Sequence, residues 1–221
     1  MRTHGLFITL EGIDGAGKST QLRLLASYLR ENGYRVGMTR EPGGTRIGEQ
    51  IREILLASRN AQLAPRAELA LMYAARAQHL QEVVRPALAG GDVVLSDRFN
   101  DASLAYQGYG RRLSGGAVRA LDRIICGPTQ PDLTLLLDMA PRVALQRANT
   151  RESRIKSRHR RFEIAGLEFQ ERVRQGYLAI ARRHPKRVKV VNADRSVEEV
   201  QHEIRQIVDK VLRRRRGTGQ M

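Results

Sequence analysis

The sequence predicts an α/β protein, a three-layer α/β/α sandwich around a five-stranded parallel sheet. Three observations carry that prediction. Short apolar runs alternate with segments of helical period from one end of the chain to the other. A glycine-rich turn joins the first apolar run to the first helical segment. No internal repeat and no linker divides the 221 residues. Strands separated by helices pair in parallel through right-handed crossovers, which puts helices on both faces of the sheet.

The elements follow in order. Leu6-Phe-Ile-Thr-Leu10 is a short apolar run closed by Gly12, the mark of a buried strand. Over 19–32, Leu22, Leu25, Ala26 and Leu29 recur at helical spacing, and Gly33 supplies the stop. Residues 36–39 read as the second strand, which ends in the turn-rich Glu41-Pro-Gly-Gly44. Ile47, Ile51, Ile54 and Leu55 share one face of a helix over 47–57. A longer helical region over 65–88 is expected to break near Pro86, with Gly90-Gly91 as punctuation. Residues 92–96 form the third strand and deliver Asp97-Arg98 at its end. A helix over 114–126 leads to the fourth strand, 133–137, which reaches Asp138. Helices over 141–149 and 163–183, a fifth strand over 187–191 and a last helix over 196–212 complete the pattern. Ser196-Val-Glu-Glu199 opens that last helix with a capping box.

Residues 150–161 have no apolar period and are dense in Lys and Arg. Such a segment is either a disordered loop or a lid that orders on an anion. We expect a single domain over 1–212 with a mobile lid at about 150–161, and a disordered basic tail over 213–221.

Charge sets the class of partner. The 39 Lys and Arg outnumber 23 Asp and Glu, a net +16, which favours polyanions: nucleic acid, anionic lipid or phosphorylated small molecules. Arg213 to Arg216 supply four of these charges and read as a solvated tail. Cys126 is the single cysteine, so an internal disulfide framework and a Cys-rich zinc site are excluded. A hydrophobic fraction of 41% is too high for a disordered chain. No apolar stretch reaches the roughly 18 residues a membrane span needs. The first residues lead straight into the apolar run and leave no room for a signal peptide. These features point to a soluble, cytoplasmic protein without a membrane partner. Cys126 and His79 are expected in the core, or His79 at an interface, and the other histidines lack metal-ligand spacing.

Gly12-Ile13-Asp14-Gly15-Ala16-Gly17-Lys18-Ser19, followed by Thr20, matches the phosphate-loop pattern G-x-x-x-x-G-K-[ST]. The glycines let successive N–H groups converge on phosphate oxygens. Lys18 adds a point charge, the Ser19 hydroxyl can ligate Mg²⁺, and the helix contributes its positive end. ATP with Mg²⁺ is the expected ligand pair. Arg40-Glu41-Pro42-Gly43-Gly44 closes the second strand and Asp97-Arg98 the third, so both lie on the same sheet edge as the loop. Two arginines and several carboxylates around one crevice, with Asp14 inside the loop itself, suit a second phosphorylated ligand beside ATP.

FITLEGIDGAGKST, TREPGGT, LMYAARAQHL, DRFNDASLAYQGYGR and PDLTLLLD, in this order over about 6–207, resemble the bacterial thymidylate (dTMP) kinases. The resemblance implies a P-loop nucleoside-monophosphate-kinase fold and a homodimer. It also implies Mg²⁺-dependent transfer of the γ-phosphoryl group of ATP to dTMP, giving dTDP and ADP and supplying dTTP synthesis. By the same resemblance Asp14 lies near the sugar 3′-hydroxyl and the metal; Ser19 and Asp97 are the expected metal ligands. Arg52 and Arg98 grip the monophosphate. Tyr73 stacks on thymine, Arg76 reaches a base carbonyl, and Ser103 and Gln107 touch the base. Tyr106 crowds the 2′ position, and Glu41 and Pro42 belong to the acceptor loop, Pro42 matching a proline often in the cis form. Some family members carry an arginine where this chain has Gly15. The resemblance then assigns the catalytic arginine to Arg147, Arg151 or Arg154, beside Lys18, Asp14 and Arg98. His159-Arg160 stand before Arg161-Phe162-Glu163 where the family usually has an acidic residue.

The residue types fit that chemistry. An Arg and a Gln complement the carbonyls and ring N–H of thymine, and mismatched buried polar groups reject cytosine by roughly 10⁴-fold. One methyl separates dTMP from dUMP and is worth about 1–3 kcal/mol. The acceptor phosphate, with a second pKa of about 6, needs no strong base. Two unit charges 4 Å apart still repel by about 4 kcal/mol at an effective dielectric near 20, so catalysis is charge placement. A nucleic-acid-binding P-loop protein is the rival from another class, and no RNA- or DNA-binding signature supports it. A deoxynucleoside kinase would need a base near a 5′-hydroxyl.

Overall fold

A computed structural model describes residues 5–147, 161–162 and 165–218. Its sheet has the order β2-β3-β1-β4-β5, every pair parallel. The strands are β1 (Leu6–Glu11), β2 (Val36–Arg40), β3 (Val93–Asp97), β4 (Leu133–Asp138) and β5 (Val188–Asn192). Central β1 is buried along its whole length, which its unbroken apolar run requires. Leu10 and Arg40 both pair with Asp97, so β1, β2 and β3 end level and their following loops meet at one edge.

The helices are α1 (Lys18–Glu31), α2 (Arg46–Leu56), α3 (Pro65–His79), α4 (Arg85–Ala89), α5 (Asn100–Ser103) and α6 (Gly115–Ile125). They continue with α7 (141–147), α8 (Leu167–Arg183) and α9 (Val197–Thr218). The three-layer sandwich of the sequence reading is therefore present. Thr45 caps α2 by accepting from the Gly48 N–H at 2.9 Å. The capping box of α9 closes both ways: Glu199 accepts from Ser196 N at 3.0 Å and Ser196 Oγ from Glu199 N at 3.2 Å.

Four expectations are revised. The chain does not break at Pro86. A wide π turn over Leu80–Val84 joins α3 to α4, and Pro86 sits at the start of α4, where a missing N–H is tolerated. The stretch after Arg98, for which the sequence predicted no element, is helical through α5 and a second π turn, Leu104–Gly110. The expected tail is helical as far as Thr218, because Arg215 donates to Gly5 O at 2.9 Å and Asp132 Oδ1 at 2.7 Å and ties α9 to the sheet. Arg161, placed in the lid by sequence, is buried, while 148–160 and with them Arg151 and Arg154 lie outside the described residues.

Candidate active site

The phosphate loop connects β1 to α1, with Gly12, Gly15 and Gly17 at φ of 135°, 87° and 88°. Ile13 and Ala16 anchor it in the core. Lys18 folds back over the loop and donates to Ile13 O at 2.9 Å. Burial, and then the neighbouring Arg98, pull its amine down to about 8. Ser19 Oγ donates to Asp97 Oδ2 at 2.7 Å, so the two expected metal ligands meet. A Cβ on Gly15 would lie 2.0 Å from Ala144 O, because α7 rests on the loop. That seat brings Arg147 to the cleft rim, where it donates to Ala193 O at 3.3 Å and Asp194 at 3.2 Å.

Arg98 joins the loop to the rest of the cleft. Its backbone is left-handed, φ 75°, and its guanidinium spans four acceptors. Nη1 donates to Gly12 O at 2.7 Å and Tyr177 Oη at 2.9 Å; Nη2 donates to Asp14 Oδ1 at 2.8 Å and Tyr106 Oη at 2.9 Å. Behind it lies Glu11, an acid that sequence reasoning missed. It accepts from Phe99 N and Tyr177 Oη, each at 2.7 Å. Burial first, and the charge of Asp101 next, push this carboxyl up to about 8 against the pull of Arg98 and its hydrogen bonds. Arg52 lines the cleft and donates to Pro42 O at 2.7 Å, across the cis Glu41–Pro42 bond.

The far end of the cleft has a polar floor. Glu41 is buried between Arg76 Nε at 2.7 Å and His79 Nδ1 at 2.9 Å, and His79 Nε2 meets Thr39 Oγ1 at 2.6 Å. His79 is thus a core residue. Arg76 Nη2 donates to Phe99 O at 3.0 Å. Among the described residues, Arg76 Nη1 and Ser103 Oγ are buried without a hydrogen-bond partner, and both residues line the cleft. Gln107 Nε2 donates to buried Glu68 at 2.8 Å.

One assignment is corrected. Tyr73 is not among the cleft-lining residues; it packs beneath, its hydroxyl on Val118 O at 3.2 Å and Arg76 over its ring at 4.5 Å. Met72 lines the cleft instead, since one helical step turns a side chain by about 100°. Thr20, Glu41, Pro42, Tyr106 and Phe162 also line this single cavity of about 450 Å³. The loop and the polar floor are its two ends.

The family model described as thymidylate kinase matches residues 10–204. The chain belongs to the thymidylate kinase family. A thymidylate kinase of Pseudomonas putida (strain GB-1) is 50% identical over 213 residues, 96% of this chain and 99% of the relative. One of Desulfovibrio desulfuricans is 47% identical over 216 residues, 97% and 99%. Among solved structures, the thymidylate kinase from Ehrlichia chaffeensis superimposes with a TM-score of 0.75 at 32% identity, covering 94% of this chain and 99% of its own. Membership fits a cleft with an ATP-type phosphate loop at one end and polar side chains at the other. No helix among the described residues is long and apolar enough to cross a membrane.

Proposed function

We propose that the enzyme transfers the γ-phosphoryl group of ATP to dTMP. An oxygen of the acceptor phosphate attacks phosphorus, the bond to the β-phosphate oxygen breaks, and dTDP and ADP leave. The observation that carries this reading is Arg98, which holds Gly12 O and Asp14 of the phosphate loop and at the same time reaches Tyr106 on the acceptor side. A guanidinium in that place lets two polyanions lie end to end in one cavity. Lys18 draws charge from the ATP phosphates, and a bound anion favours its protonated form. Arg52 and Arg98 hold the monophosphate, Asp14 accepts from the sugar 3′-hydroxyl, and Tyr106 walls the 2′ position. The base rests on Met72, between Arg76 and the Ser103–Gln107 side.

Ser19 Oγ and Asp97 present two oxygens at the mouth of the loop, donors that suit a hard divalent cation. No group of three His, Cys, Asp or Glu side chains among the described residues could hold such an ion alone. Mg²⁺ would therefore be held by Ser19, Asp97, phosphate oxygens and water, where it would neutralise phosphate charge. The catalytic arginine is Arg147, which stands at the rim, or Arg151 or Arg154, which lie outside the described residues. We further propose a cytoplasmic homodimer that pairs through α2, whose Ile47 and Ile54 lie two turns apart and exposed. Nucleic acid is not its principal ligand.

The test is ADP release with ATP and Mg²⁺ across dTMP, dUMP, dCMP, dAMP and thymidine. dTMP is expected to be the preferred acceptor, with dUMP next. Preferred turnover of thymidine would overturn the reading in favour of a nucleoside kinase.

A further inference from the structure

We infer that Glu68 is a positioning residue that fixes the polarity of the Gln107 amide, and through it the preference for a pyrimidine with a ring N3–H over cytosine. The inference rests on the proposed place of the base between Arg76 and Gln107.

A glutamine amide can face a ligand with its oxygen or with its NH₂ group, and the ligand it suits changes with the choice. Here the choice is made from behind. Gln107 Nε2 donates to Glu68 Oε1 at 2.8 Å, with both side chains buried. A carboxylate only accepts, so a flipped Gln107 would set oxygen against oxygen. Glu68 cannot swing aside. Arg161 Nη1 lies 2.7 Å and Arg111 Nε 3.2 Å from its Oε2. Arg161 is itself fixed by the carbonyls of Leu55, Asn60 and Leu63 at 3.0–3.3 Å. Glu68 takes one of the two N–H groups of Gln107, and the amide held in that sense turns its oxygen, an acceptor, to the cleft.

Arg76, which lines the same cleft, has the complementary sign. Arg76 carries donors only, and its buried Nη1 has no partner among the described residues. An acceptor from Gln107 and a donor from Arg76 match an N3–H beside an exocyclic carbonyl, as in thymine or uracil. Cytosine presents a bare N3 and an amino group, which inverts both contacts. Glu68 touches no base, so its effect on selectivity passes through Gln107.

The experiment compares kcat/KM for dTMP with the inhibition constant of dCMP against dTMP, in the natural chain and in Glu68→Gln. The amide introduced by that substitution can offer Gln107 either its oxygen or its NH₂ group, which removes the penalty on the flipped conformation. The preference for dTMP over dCMP is expected to fall about 10-fold or more, with the KM for ATP unchanged. A purely structural role would weaken both nucleotides by one factor and leave their ratio intact, and that result overturns the inference. If Glu68→Gln alone lacks a cooperative melt, Glu68→Gln/Arg161→Met removes the uncompensated guanidinium and is read in the same way. A natural chain that does not phosphorylate dTMP would defeat the proposed function. One that does, with an unchanged ratio in the folded variant, defeats only the role of Glu68.

Discussion

At the phosphate-loop end of the cleft the groups proposed to meet an anion come from one short stretch, 12–20, with Arg98 laid across it. At the proposed base end, Arg76 comes from α3 and Ser103 and Gln107 from the helical stretch of α5 and its π turn, and two of the three are held by acids from elsewhere in the chain. Glu41 fixes Arg76 from the loop after β2, and Glu68 fixes Gln107 from α3. The first end is backbone geometry with charge added; the second is a buried network whose side chains hold one another, with Arg76 Nη1 and Ser103 Oγ left over among the described residues. Both ends contain an arginine paired with a carboxylate, but the partners differ in exposure. The Asp14 side chain is 29% exposed, and that of Glu41 only 4%.

That contrast separates two substitutions. Arg76→Met leaves Glu41 buried with His79 as its remaining side-chain partner. Breaking a buried pair costs about 3–5 kcal/mol, a fall of roughly 10 °C in Tm for a chain of this size. Arg98→Ala leaves Asp14 within reach of water, so its damage is kinetic: kcat/KM for dTMP should drop by about 10²- to 10³-fold. Thermal melts and steady-state kinetics on both variants check this. Equal losses of stability would show that the two ends are built alike.

Gly15→Ala tests the phosphate end without removing any charge. The new methyl meets Ala144 O and must sit at φ 87°, so α7 has to lift off the loop and carry Arg147 from the rim. A misplacement of about 1 Å at a reacting centre costs on the order of 10²-fold. We expect that loss in kcat, with the KM for dTMP held within roughly threefold. An unchanged kcat would show that the seat of α7 does not matter to turnover.

The two ends were also unequally legible in the sequence. The phosphate loop could be read because its chemistry demands fixed residues at fixed spacing, and the strands could be read because buried parallel strands are continuous apolar runs. The base end depends on helix phase and on distant partners. Tyr73 and Met72 are neighbours of similar bulk, and only the packing of α3 decides which faces the cleft. Glu11 reads as the polar end of a strand, and its partners Phe99 and Tyr177 lie 88 and 166 positions away. Glu68 and Arg161 are ordinary surface types until the fold brings them together. The helix after Arg98 was invisible for another reason, since Asn, Asp, Ser and Gly are weak helix formers.

Glu11 gives the contrast a pH signature. Its carboxyl is raised from 4.5 to about 8, so the folded chain binds a proton that the unfolded chain has lost. That contribution to stability is complete below about pH 4.5 and disappears as pH rises through about 8. Lys18, lowered from 10.5 to about 8, acts above that window and in the opposite sense, stability rising with pH. Glu11→Gln should therefore flatten the decline between pH 5 and 8 in urea titrations. A decline of the same slope in the variant would place the proton elsewhere.

The smallest effect is expected at the basic C-terminus, far from both ends of the cleft. Removing 213–221 deletes the Arg215 contacts to Gly5 and Asp132, yet the Arg215 and Asp132 side chains are 39% and 35% exposed. An exposed pair of this kind is worth about 0–1 kcal/mol, and Asp132 keeps its bond from Phe7 N at 2.8 Å. Arg215, in the last turn of α9, also opposes the negative end of the helix dipole, a gain of about 0.3–1 kcal/mol that salt screens. The truncated chain should thus lose no more than about 2 kcal/mol, most of it at low ionic strength, with kcat/KM for dTMP unchanged. A large fall in turnover would mean that charge at this end of the molecule reaches the cleft, which the local construction of the phosphate loop does not allow.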